Sequence, residues 1–198
     1  MLCLPSLALA TSSISTILVV GDSLSAAYGI PPEQGWVSLL EKRLEDNKYP
    51  YHVVNVSISG NTSSNGLTSL PQALKQYKPS IVIIGLGSND GLRGLSTVAM
   101  QSNLSQMVEL AKKTKARVLL AGFLIPVNYG PIYRKKFEHV FETVSDEYHL
   151  PRIPFLLEKV VLKPELIQND GLHPNEAAQP LILDTVWPFL EKMLSRSG

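Results

Sequence analysis

A chain of 198 residues can bury one substantial core but would be cramped as two domains. Its net charge of +1 gives no electrostatic handle for nucleic acid or lipid headgroups, and no apolar run is long enough to cross a bilayer. The single cysteine, Cys3, excludes an intramolecular disulfide and a cysteine-built zinc site.

Residues 1–15, "MLCLPSLALATSSIS", are apolar and then rich in Ser and Thr. Ala8-Leu9-Ala10 has the small-x-small form of a signal-peptide cleavage site, but no Lys or Arg precedes the apolar part. The segment reads either as the remnant of an export signal or as a frayed N-terminus. The remainder, residues 16–198, reads as one domain.

Within it, short apolar runs alternate with helical patterns. Strands are expected at 17–20, 53–58, 81–86, 117–123 and 152–155. Helices are expected at 36–46, 67–77, 98–114, 132–149 and 176–194. The second helix should stop before Pro79, and the last should carry Pro180 near its start and a kink at Pro188. Strand–helix alternation with continuously apolar strands predicts an α/β fold, a parallel sheet covered on both faces. Such sheets bind ligands beyond the carboxyl ends of their strands.

The residues that follow the predicted strands fit that rule. They are Gly21-Asp22-Ser23, then Ser59-Gly60-Asn61, then Gly87-Ser88-Asn89-Asp90-Gly91, then "FLIPVNYG" at 123–130. Late in the chain comes Asp170-Gly171-Leu172-His173-Pro174. Acyl transfer needs a nucleophile, a base, a group that orients the base, and donors aimed at the developing oxyanion. Ser23 can be the nucleophile and His173 the base. Asp170, three residues earlier on a tight turn, can reach Nδ1–H and leave Nε2 facing Ser23. The backbone N–H groups of Ser23 and Gly60 and the side-chain amide of Asn89 can serve as the oxyanion donors. Each part also has a structural reading: a helix N-cap for Gly-Asp-Ser, turn chemistry for Gly60, Asn89-Asp90-Gly91 and Asp170-Gly171, and a first helical turn for Pro174. Their joint placement after strands favours the chemical reading. His52 reads as an edge or packing residue, and His149 as a helix-end cap. His139, beside Glu138, points elsewhere on its helix, and Asp22 and Asp90 read as loop-orienting groups.

The blocks "GDSLSAAYG", "SISGNTSSNGL", "GLGSNDGLRG" and "DGLHPNEAAQP", in that order, resemble those of the SGNH (GDSL-type) hydrolases. The nearest likeness is to the family's bacterial thioesterase, lysophospholipase and arylesterase branch. The resemblance runs from about Thr16 to the last helix. It implies a flavodoxin-like three-layer α/β/α sandwich with a five-stranded parallel sheet, catalytic Ser23, Asp170 and His173, and oxyanion donors Ser23, Gly60 and Asn89. It further implies a periplasmic or secreted enzyme without metal or cofactor. One departure stands out: Ser88 occupies a position where the family pattern reads Gly-Gly-Asn-Asp. The nucleophile motif also differs from the G-x-S-x-G elbow of α/β-hydrolases.

The expected substrates are small acyl esters and thioesters: aryl esters, lysophospholipids and acyl-CoA. Leu92, Ile125, Pro126 and Tyr129 are apolar loop residues that either wall an acyl groove or pack on one another. A histidine base requires activity to fall toward acid pH. The expected unit is a monomer with no nucleic-acid partner and no integral membrane segment. The alternatives are a carbohydrate acetylesterase with the same machinery and a non-catalytic doubly wound binding module.

Overall fold

The computed structural model describes residues 14–195. The signal-like stretch, with Cys3 and Ala8-Leu9-Ala10, lies outside the described residues except for its last two positions. Ser15, placed with that stretch from the sequence, is the first residue of β1 (Ser15–Gly21).

The other strands are β2 (Tyr51–Asn55), β3 (Ile81–Gly85), β4 (Arg117–Ala121) and β5 (Arg152–Ile153). All pair in parallel, in the order β2-β1-β3-β4-β5. This is the flavodoxin-like order, with its topological switch between β1 and β3. β1 and β3 are aligned so that Gly21 lies opposite Gly85, and both exits open side by side. The chain leaves β1 toward one edge and β3 toward the other, which opens a crevice between their loops.

The helices are α1 (Trp36–Asp46), α2 (Ser63–Tyr77), α3 (Ser88–Leu92), α4 (Thr97–Lys113), α5 (Pro131–Tyr148) and α6 (Gln179–Leu190). α1 packs with α6, while α2, α4 and α5 pack in a row, so each sheet face carries one helical layer. β3 is buried at every residue because both layers cover it, which is why its sequence is continuously apolar.

Several boundaries differ from expectation. β2 lies two to three residues earlier than predicted. It is the edge strand, and its ladder with β1 ends at Val19–Asn55. The backbone N–H of Ile58 still donates to the Gly21 carbonyl, but its side chain is 57% exposed as the chain leaves the sheet. α2 starts four residues early, because Thr62 and Asn65 form a capping box. The last predicted helix is instead a 3₁₀ turn, the α-helix α6, and a second 3₁₀ turn, Glu191–Met193. Pro188 has no N–H to offer the Asp184 carbonyl, and Lys159 Nζ donates to that carbonyl at 3.0 Å. β4 and β5 are shorter than expected. At Gly122 the backbone of Pro154 comes so close that an added Cβ would sit 2.4 Å from its carbonyl oxygen.

Candidate active site

β1 delivers Asp22 and Ser23 to the switch point. Asp22 is fully buried and holds two loops together. Its Oδ1 accepts the backbone N–H of Leu24 at 3.0 Å, and its Oδ2 accepts from the Ser88 hydroxyl and from Asn89 Nδ2 at 3.3 Å. Burial pushes the Asp22 carboxyl up from its ordinary value, and the hydrogen bonds from Ser88 and Leu24 oppose that shift. The serine that departs from the family pattern thus has its hydroxyl tied to Asp22, just after Gly87, whose φ is 119°.

Asn89 Nδ2 also donates to the Asn61 carbonyl at 3.0 Å, which joins the loop after β2 to the group. Next to it, buried Asp90 accepts from the Ser63 N–H at 2.7 Å and the Ser63 hydroxyl at 2.6 Å. Arg93 Nη2 donates to the Gly60 carbonyl at 2.9 Å. Gly60 itself has φ 81°, a conformation costly for any residue with a Cβ. Asp22 and Asp90 therefore orient loops, as read from the sequence.

The loop before α6 brings in the other half. Asp170 Oδ1 accepts the backbone N–H of Leu172 at 2.9 Å and of His173 at 3.0 Å. Its Oδ2 lies 2.6 Å from His173 Nδ1. An ionised carboxylate can only accept, so Nδ1 carries the proton and Nε2 presents its lone pair. Nε2 lies 3.0 Å from Ser23 Oγ. The His173 backbone N–H, then the ring N–H, hold the Asp170 carboxyl down at about 2.

Two residues absent from the sequence reading keep the halves in register. Gln168 Nε2 donates to the Tyr28 carbonyl at 2.8 Å and to the Pro174 carbonyl at 2.9 Å. One amide therefore ties the Ser23 loop to the His173 loop. The Tyr28 ring lies 4.5 Å from the His173 ring, centroid to centroid. Gly29 is required here: at φ 76° it lets Gln168 approach where a Cβ would stand 2.2 Å from Oε1.

Ser23, Gly60, Asn89 and His173 all line one cleft of about 680 Å³, within the usual range for small-molecule sites. Leu92, Ile125 and Pro126 line it as well. Tyr129 does not: its hydroxyl donates to the Leu92 carbonyl at 2.6 Å, so it braces the wall from behind. The segment after β5 adds Phe155, Leu157, Val161, Leu162 and Ile167 to the lining, none of which the sequence singled out. The other histidines lie away from the cleft. His52 Nδ1 is 2.8 Å from Glu41 and His139 Nδ1 is 3.2 Å from Glu142, while His149 ends α5 in a left-handed conformation. Among the described residues, no three His, Asp or Glu side chains converge as a metal site would require.

The esterase TesA of Pseudomonas aeruginosa is 48% identical over 183 residues, 92% of this chain and 91% of that protein. The thioesterase 1/protease 1/lysophospholipase L1 of Escherichia coli K12 is 38% identical over 187 residues, 94% of this chain and 88% of that one. The psychrotrophic esterase EstA from Pseudoalteromonas sp., solved in a form inhibited by monoethylphosphonate, superposes with a TM-score of 0.87 at 42% identity. That match covers 90% of this chain and 98% of EstA. Residues 19–180, from within β1 to the first turn of α6, match the GDSL-like lipase/acylhydrolase family, and the chain belongs to it.

Proposed function

We propose that the protein is a serine esterase and thioesterase that works through an acyl-enzyme on Ser23. The observation that carries this reading is the line from Asp170 to His173 to Ser23, with steps of 2.6 and 3.0 Å, whose last two members line an apolar cleft. His173 Nε2 takes the Ser23 proton as Oγ bonds to the substrate carbonyl carbon. The charge that develops on the carbonyl oxygen is met by the N–H groups of Ser23 and Gly60 and by Asn89 Nδ2, which exchanges its long 3.3 Å contact with Asp22 for the oxyanion. The imidazolium then returns its proton to the departing alcohol or thiol as the ester or thioester bond breaks. Water, deprotonated by the same nitrogen, releases the acid and restores Ser23.

The apolar walls favour acyl chains over acetylated sugars. The test is a panel of aryl esters, acyl thioesters and lysophospholipids in graded acyl lengths. Turnover is expected in all three classes, rising from acetyl to medium-length chains. A preference for acetylated carbohydrate, with longer acyl groups rejected, would overturn the proposed substrate class.

Asn89→Ala removes one oxyanion donor and should lower kcat by about a hundredfold to a thousandfold with KM little changed. Steady-state kinetics on an aryl ester measure it, and a loss confined to KM would assign Asn89 to substrate binding instead. No described helix is long and apolar enough to cross a membrane. A periplasmic or secreted location rests on the signal-like residues 1–15 and on the family resemblance, and osmotic-shock fractionation tests it.

A further inference from the structure

Eleven large apolar side chains stand exposed among the described residues, and all but Ile14 lie on the carboxyl-end rim of the sheet. Tyr28 follows β1, and Ile58 follows β2. Leu95 lies between α3 and α4, and Val98 is in the first turn of α4. Leu124 and Val127 follow β4, and Ile132 is in the first turn of α5. Val161, Leu162 and Leu172 lie between β5 and α6. Single exposed apolar residues scattered over a surface are ordinary. Ten gathered on one rim make a patch that calls for a partner.

The character of the rim narrows the partner. The loops spanning 56–62 and 122–130 contain no Asp, Glu, Lys, Arg or His, and the exposed charges on the other rim loops, Arg93, Lys159 and Lys163 against Glu158, Glu165 and Asp170, are of mixed sign, so neither sign dominates the rim. The most exposed members are Leu162 at 89%, Val98 and Val127 at 77%, and Ile132 at 75%. This surface suits an apolar, charge-neutral phase. Six of the ten, including Leu162, Val127 and Leu172, also edge the mouth of the active-site cleft. A rigid protein seated there would cap the cleft. A fluid lipid surface would instead allow an acyl chain to pass from it into the cleft without crossing water.

We propose that this rim docks onto the surface of zwitterionic lipid aggregates, with the cleft mouth facing the lipid. The driving force is the transfer of the rim side chains out of water. Docking is a property of the surface and does not depend on Ser23 being the nucleophile.

The experiment uses Ser23→Ala protein, so that no lipid is consumed, and vesicles of pure phosphatidylcholine in a flotation assay. Binding is expected, and it should persist between roughly 0.05 and 0.5 M salt, because a neutral apolar contact is not screened. The substitutions Val98→Glu and Ile132→Glu, made together, lie outside the cleft lining. Glutamate in the first turn of a helix favours the helix dipole, so both helices are retained. The pair should lower the vesicle partition coefficient on the order of tenfold or more. In the Ser23 background it should leave turnover of a short, water-soluble aryl ester unchanged.

Failure to float with phosphatidylcholine would overturn the proposal. So would binding that requires anionic lipid and disappears with salt, or binding that the double substitution leaves intact. Sedimentation velocity adds one further outcome. A dimer that the two glutamates dissociate, without any vesicle binding, would assign the rim to a second copy of the chain. Vesicle binding by a protein with no hydrolytic activity would sustain the docking and sink the serine-hydrolase reading, so the two fail separately.

Discussion

Replacing Ser23 with alanine is expected to lower kcat for aryl esters and acyl thioesters by about 10⁵- to 10⁶-fold, in line with loss of the nucleophile in other serine hydrolases. The substitution deletes one oxygen whose one hydrogen bond among the described residues is the 3.0 Å contact with His173 Nε2. Ser23 is half-buried and lies outside the apolar core, so the melting temperature should stay close to that of the parent. The cleft walls are untouched, and KM should change little. Residual turnover, about 10³- to 10⁴-fold over water, would come from the oxyanion donors and binding alone. Because serine and imidazole act as one unit, adding His173→Ala to Ser23→Ala should cost almost nothing more. Burst-phase and steady-state kinetics on the purified variants measure both effects. A Ser23→Ala enzyme within a hundredfold of the parent would remove the acyl-enzyme from the mechanism.

The parts of this site that could be read in the sequence are those fixed by short range or by burial. "IVIIG" is legible because a strand covered on both faces must be apolar throughout. Asp170 and His173 are legible because three residues on one tight turn already place a carboxylate beside a ring nitrogen. The start of α2 was missed although its signal, Thr62 and Asn65 as a capping box, was present. Ile58 was misread for the opposite reason: its apolar character suggested a strand, whereas it stands on the exposed rim. Gln168 could not have been found, because an amide reaching a main-chain carbonyl 140 residues away leaves no pattern in the chain. The same holds for Arg93 on the Gly60 carbonyl. Tyr129 was judged by its apolar ring, while its hydroxyl decided where it went. Ser88, a departure from the family pattern, fits because buried Asp22 accepts its hydroxyl.

Asp170→Asn should lower kcat by about 10⁴-fold while leaving the loop folded. The asparagine carbonyl can still accept the Leu172 and His173 backbone N–H groups, which now reach Oδ1 at 2.9 and 3.0 Å. The change falls on the other oxygen, 2.6 Å from His173 Nδ1. An amide NH₂ there is a donor and selects the tautomer with its proton on Nε2. Nε2 would then face Ser23 with a proton instead of a lone pair, and the serine would keep its own. The pH behaviour separates this account from simple loss of structure. The Asp170 carboxyl is held at about 2, chiefly by the His173 backbone N–H, so it is ionised throughout the neutral and mildly acid range. The acid limb of kcat/KM in the parent should therefore carry no contribution from the Asp170 carboxyl above about pH 4. Stability follows the same sign. A carboxylate whose folded value lies below its unfolded one, about 3.9, contributes stability above that pH and loses the contribution as pH falls toward 2. Thermal melts should thus show the parent losing more stability than Asp170→Asn between about pH 4 and pH 2. A variant with full activity at pH 8 would mean that Asp170 neither sets the tautomer nor orients the ring. A loss of activity accompanied by a collapsed melting temperature at neutral pH would make the carboxylate a folding element rather than a partner of the base.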